Sequence, residues 1–329
     1  MIDLAALLRL PYLDGDLARV ETALHASIEA DDPFLTEVAG HLISAGGKRL
    51  RPALALAAAS TADEAHVTPA PPDVVMGATA VELVHLGSLY HDDVMDEAES
   101  RRGVSSVNAR WGNLVAILAG DFLLARASEI AASLGTEVAG LLAATIGRLC
   151  TGQVREVRTA FDSNRTEAAY LESIADKTGA LMAASCRIGA ITARLPRGHI
   201  EALTSYGQQV GMVFQIVDDI LDVVATDEQL GKPAGNDLIE GVYTLPVIRA
   251  LADSDGAADL AALLGGPIDR DDAERARTII RSDGSVGAAK DVARLYAKEA
   301  AAVLDGFPDS PVVAALRGVG DHLIETIPA

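Results

Sequence analysis

The sequence predicts an all-α fold from three features: Ala-rich apolar segments, a scarcity of aromatic residues, and apolar positions that recur three and four apart. Half of the 329 residues are hydrophobic but only 4% are aromatic, whereas strands favour aromatic and β-branched side chains. Leu17, Val20, Leu24 and Ile28 form one helical series, and Leu203, Tyr206, Val210, Val213 and Val217 form another. Each is the stripe by which a helix faces a core. The length accommodates one large or two medium domains, and the hydrophobic fraction allows a substantial core.

Along the chain, residues Thr61 to Asp73, with Pro69, Pro71 and Pro72, read as a loop between helices. Asp121, just after Gly120, is placed to cap a helix carrying Phe122, Leu123 and Leu124. A second long loop is expected from Thr226 to Gly241. Helices are expected at Asp272 to Arg281 and Ser285 to Leu304, in a tail beyond Ala252 that supports the rest. The start, Met1-Ile2-Asp3-Leu4, has no basic leader region, and no apolar run approaches the ~18 residues of a spanning helix. A soluble, cytoplasmic protein is expected. A formal charge of −20, from 27 basic and 47 acidic residues, repels nucleic acid and anionic bilayers, so a phosphate site must be local. Cys150 and Cys186 lie in apolar helical sequence and read as small buried hydrophobes, with no chemistry assigned.

Two acidic clusters carry the chemistry: Asp92-Asp93-Val94-Met95-Asp96 and Asp218-Asp219-Ile220-Leu221-Asp222. On a helix the first and fifth residues of DDxxD lie about one 5.4 Å turn apart on the same face. Both clusters sit in apolar surroundings, where unpaired carboxylates are costly to bury. A single cluster would read as a solvated helix face; two read as carboxylate pairs for Mg²⁺, whose remaining coordination goes to water and substrate phosphate. Basic residues beside glycines supply the counter-charge for a diphosphate: Gly46-Gly47-Lys48-Arg49-Leu50-Arg51-Pro52, Arg101-Arg102-Gly103 and Lys232.

With these motifs in place, the sequence resembles the polyprenyl synthetase family, the trans-isoprenyl diphosphate synthases, from about Leu42 to Ile248. Further matching segments are Gly120-Asp121-Phe122-Leu123, Lys177-Thr178-Gly179, Phe214-Gln215-Ile216-Val217-Asp218-Asp219, Gly231-Lys232 and Thr244-Leu245-Pro246. The resemblance implies a single domain over 1–329, a helical bundle around a central cavity, and a homodimer. It implies that Asp92, Asp96 and Asp218 hold Mg²⁺, three ions in all, on the diphosphate of an allylic substrate, supported by Asp93, Asp219 and Asp222. Arg101 and Lys232 would touch that diphosphate. Lys48, Arg51, His85 and Arg102 would hold isopentenyl diphosphate without metal, and Lys177, Thr178 and Gln215 would place dipoles near the allylic cation. His91 reads as a hydrogen-bonded core histidine.

One departure stands out: Val242 occupies a place where many family members carry a lysine before Thr244-Leu245-Pro246. Gly87 and Ser88, one turn before Asp92, are small, and in the resembling family bulky residues there stop elongation early. The expected product is therefore a long-chain polyprenyl diphosphate, such as the tail of a quinone, with a geranylgeranyl or farnesyl diphosphate synthase as the short-chain alternative. A terpene cyclase lacks a second DDxxD and Gly46-to-Pro52. A head-to-head condensing enzyme needs no separate address for isopentenyl diphosphate, and a His-Asp phosphohydrolase wants more histidines than follow His91. A non-catalytic metal-binding partner subunit would leave the glycine-flanked basic residues without a task.

Overall fold

The computed structural model describes residues 8, 10–61, 68–230, 233–253 and 255–328. In chain order the helices are α1 Leu13–Ser27, α2 Pro33–Ser44, α3 Leu50–Ser60 and α4 Pro72–Met95. A two-stranded hairpin, β1 Ser100–Arg101 and β2 Val104–Ser105, precedes α5 Val107–Trp111, α6 Asn113–Ser133, α7 Thr136–Arg158 and α8 Glu167–Ile174. A π-helical segment, Ala175–Gly179, runs into α9 Ala180–Thr192, followed by the long α10 Arg197–Val224. The remainder is α11 Asp227–Leu230, α12 Asn236–Ile239, α13 Leu245–Asp253, α14 Ala257–Leu263, α15 Arg270–Ser282, α16 Ser285–Ala302 and α17 Pro311–Glu325.

Helix starts follow local chemistry. Asp32 accepts a hydrogen bond from Phe34 N at 2.9 Å, with Pro33 in the first turn of α2. Ser106, Thr166, Asp269 and Ser310 cap α5, α8, α15 and α17 in the same way. α4 is apolar on nearly every side and buried along most of its length, the mark of a central helix. It packs against α6, α9 and α3, and α10 packs against α9 and α16. Buried tyrosines fasten these layers: Tyr90 OH donates to Val38 O at 2.7 Å, and Tyr206 OH donates to Leu316 O at 2.8 Å. In the tail, the buried Arg277 of α15 donates to Val223 O at 2.9 Å and Ala225 O at 2.6 Å. The supporting tail therefore satisfies carbonyls at the C-terminus of the helix that carries the second acidic cluster.

Three expectations change. Asp121 is not a cap: α6 runs unbroken from Asn113 through Gly120 and Asp121, because Leu123, Ala127 and Ile130 continue the buried stripe of Ala116 and Ala119. The Thr226-to-Gly241 segment holds two short helices, α11 and α12. Cys186 is buried as expected, but Cys150 is exposed on α7.

Candidate active site

The first acidic cluster ends α4. Asp92 and Asp93 lie in its last turn and Asp96 caps it, its N–H donating to Asp92 O at 2.8 Å, so the one-turn stacking of residues 92 and 96 holds. The second cluster lies wholly within α10. Each combines exposed and sheltered carboxylates: Asp96 and Asp218 face solvent, Asp92 is half-buried, and Asp93, Asp219 and Asp222 are buried. Asp93 anchors the hairpin, its Oδ1 accepting from Arg101 Nε at 2.7 Å.

Behind α4 lies a second, basic group. Gly46 and Gly47 have φ of +83° and +150°, and Arg49 has +46°, so the chain turns sharply into α3. A Cβ on Gly47 would stand 2.8 Å from the Arg102 guanidinium, so only glycine lets that side chain lie against the loop. Arg102 Nη1 donates to Gly46 O and, at 3.1 Å, to Leu42 O. Arg49 Nη1 donates to the buried Glu82 at 3.0 Å, while its Nε and Nη2 bind Glu21. Burial pushes Arg51 down to about 10, against the pull of Glu82, so it remains charged near neutrality. His85 is pushed well below its usual value by burial and by Arg51, Arg102, Arg101 and Arg49. A neutral imidazole among guanidinium groups offers a hydrogen bond without a further cation. The Lys48 ammonium nitrogen is also sheltered from solvent.

Lys177 and Thr178 lie in the π-helical segment, a local widening often found at functional sites. A Cβ on Gly152 of α7 would stand 2.6 Å from Lys177 N, so a bare glycine lets α7 and this segment touch. Thr178 Oγ1 donates to Gln215 Oε1 at 2.6 Å, and Gln215 Nε2 donates to Asp219 Oδ1 at 2.8 Å. Tyr170 OH donates to Asp219 Oδ2 at 2.5 Å. This relay fixes the Gln215 amide and connects the second cluster to the Lys177-Thr178 segment. Lys177 Nζ pairs with Glu156 of α7. Lys232 lies outside the described residues.

Glu156 and Tyr170 are the site residues that sequence reading missed. Glu156 sits between Arg155 and Arg158 and resembles part of a solvated face, and its signal was Gly152 one turn earlier. Tyr170 is one of six tyrosines, and a phenol buried in a chain so poor in aromatics points to a hydrogen-bond partner. Gly87 differs from expectation: it is buried against α6, where a Cβ would stand 3.1 Å from Gly120 O and 3.2 Å from Leu124. It serves helix packing, whereas Ser88 is half-buried, its hydroxyl donating to His85 O at 2.8 Å. His91 is hydrogen-bonded as expected, Nε2 lying 3.2 Å from Ile117 O, but it is half-buried and not part of the core.

The donor set fits Mg²⁺ shared with a phosphate. Burial raises Asp92 to about 6 despite Lys177, and it raises Asp93, Asp96 and Asp219 as well, so their charged forms are poorly solvated and a bound cation would favour them. Among the described residues, no three His, Cys, Asp or Glu side chains converge as a ready-made metal cage. One or two protein oxygens per ion, with the rest from water and substrate, is the usual Mg²⁺ arrangement.

The model of the family described as polyprenyl synthetase matches residues 32–281. The chain belongs to the polyprenyl synthetase family. A nonaprenyl diphosphate synthase of Mycobacterium tuberculosis is 41% identical over 311 residues, covering 94% of this chain and 91% of that protein. Heptaprenyl diphosphate synthase component 2 of Geobacillus stearothermophilus is 40% identical, covering 95% and 96% respectively. The crystal structure of a polyprenyl synthase from Caulobacter crescentus, complexed with calcium and isoprenyl diphosphate, superposes with a TM-score of 0.90 at 35% identity, covering 99% of this chain and 98% of that one. This polyprenyl synthetase is a prenyltransferase with an isoprenoid synthase fold. Among its described residues, no helix is long and apolar enough to cross a membrane.

Proposed function

We propose that this single-domain, cytoplasmic polyprenyl synthetase lengthens an allylic diphosphate with isopentenyl diphosphate, head to tail, to a long-chain all-trans product for quinone side chains. The carrying observation is the division of charge: two carboxylate helices, the second tied to the Lys177-Thr178 segment by the Asp219 relay, on one side, and a metal-free basic group of Lys48, Arg51, His85 and Arg102 on the other. The two substrates thus have chemically different addresses. Mg²⁺ held by Asp92, Asp96 and Asp218, as three ions in our reading, would neutralise the leaving diphosphate. Arg101 would reach the same diphosphate while braced on Asp93, and Lys232 would join it. As the allylic carbon–oxygen bond breaks, the Lys177 carbonyl, the Thr178 hydroxyl and the Gln215 amide would face the developing cation with dipoles already oriented. The isopentenyl double bond then forms the new carbon–carbon bond, and the released pyrophosphate takes the proton that restores the alkene.

An assay with Mg²⁺, labelled isopentenyl diphosphate and geranyl, farnesyl or geranylgeranyl diphosphate tests the reading. Products beyond twenty carbons support it; a short product assigns short-chain synthesis, and no incorporation assigns a partner subunit. Ser88 and the names of the nonaprenyl and heptaprenyl relatives support the long product. Ser88→Phe is expected to shorten the product at unchanged thermal stability. If product length is unchanged, the growing tail does not pass Ser88.

Supporting a homodimer, α6 exposes Leu114, Ile117 and Leu118 on one face, and the adjoining α7 exposes Val154 and Val157. A second copy would cover this apolar face about a two-fold axis. Leu118→Glu should shift the protein from dimer to monomer in sedimentation velocity, whereas an unchanged dimer would place the interface elsewhere.

A further inference from the structure

Glu156 has no role in the chemistry above, yet it lies where the site's charges meet. It accepts from Lys177 Nζ, and its charge acts on Asp92, Asp96, Asp219 and Arg165. Lys177 pairs with one carboxylate and feels two more: burial works against its ammonium, but Glu156 first, then the charges of Asp92 and Asp96, more than offset this and raise its pKa. Released from Glu156, the same ammonium would be drawn toward Asp92 and Asp96, whose charges already act on it. There it would compete with a divalent cation for the oxygens that need it most.

The approach of α7 decides between these partners. Gly152 brings α7 against the backbone of Lys177, and Ser173 Oγ donates to Gly152 O at 3.2 Å, tightening the contact. Arg148 and Arg155 of α7 both bind Asp176, the residue before Lys177, at 2.8 and 2.5 Å. α7 therefore grips residues 173–177, and one turn beyond Gly152 it presents Glu156 to the lysine.

We propose that Glu156 is a positioning residue that keeps the Lys177 ammonium off Asp92 and Asp96, leaving the first aspartate cluster open to metal. This rests on the reading of those aspartates as metal ligands. Glu156 thus acts through Lys177, and it need not touch substrate.

Mn²⁺ binding to the full chain with inorganic pyrophosphate, followed by the loss of free-ion signal in electron paramagnetic resonance, tests this directly. Glu156→Gln retains an acceptor but loses the charge, and it should raise the Mn²⁺ concentration for half-saturation about five- to tenfold, the effect of one moderate charge pair. In a Lys177→Met background the same change should leave half-saturation within about twofold, since the competing cation is gone. An equal rise in both backgrounds would mean that Glu156 attracts the metal directly, and no rise in either would mean that it does not govern metal access; both overturn the proposal. Asp92→Asn is the control. If it too leaves Mn²⁺ binding unchanged, the metal-site reading itself fails.

Discussion

Asp92→Ala should lower turnover at least about a thousandfold, with the protein still folded. The carboxylate is half-buried at the end of α4 and stacked one turn from Asp96, and burial has already pushed it up to about 6 despite the pull of Lys177, so its charged form gains from a cation brought close. Removing it deletes an oxygen ligand where a diphosphate must leave, and electrostatic stabilisation of a leaving group is worth several kcal/mol. Stability should fall little, because a desolvated carboxylate without a dedicated partner does not stabilise the fold. Steady-state kinetics and thermal melting on the same preparation check both parts. Turnover within tenfold of the parent would remove Asp92 from the metal site.

Arg49→Ala should destabilise the protein by about 3 kcal/mol or more and weaken isopentenyl diphosphate binding, although Arg49 has no assigned substrate contact. Its guanidinium binds Glu82, which is 1% exposed, together with Glu21 and Ile43 O. Deleting one member of a buried ion pair leaves the other uncompensated. The stranded Glu82 would then draw on Arg102, which lies 4.0 Å from it, and on Arg51, whose charge it already feels. Both belong to the group proposed to hold isopentenyl diphosphate, so its KM should rise while that of the allylic substrate changes little. Equilibrium denaturation and the two KM values provide the test, and equal rises in both KM values would refute the separation of the two addresses.

Much of this site can be read in sequence because its signals are local. Asp92 and Asp96, or Asp218 and Asp222, lie within one helical turn, so spacing alone puts them together, and the glycines before Lys48 announce the turn they allow. What stayed hidden depends on separations that only the fold closes. Arg49 meets Glu82 across 33 residues, and Glu156 meets Lys177 across 21. Gly87 misled because small residues serve a tight helix crossing as readily as an open channel, and the choice depends on what α6 places opposite. Asp121 misled for a similar reason: a polar residue after glycine resembles a cap until the buried stripe on both sides is seen to continue. Cys150 lies in apolar sequence but on an exposed face of α7.

The β1–β2 hairpin sets one further limit. Arg101 reaches forward to Asp93, while Arg102, with φ of +55° in a two-residue turn completed by Gly103 at +77°, reaches back to Leu42 and Gly46. Neighbouring Cα atoms are 3.8 Å apart, so one peptide unit tethers the two arginines that the proposed reading assigns to different diphosphates. A change in this two-residue turn would therefore disturb both arginines at once, coupling two proposed binding sites that no direct contact joins among the described residues.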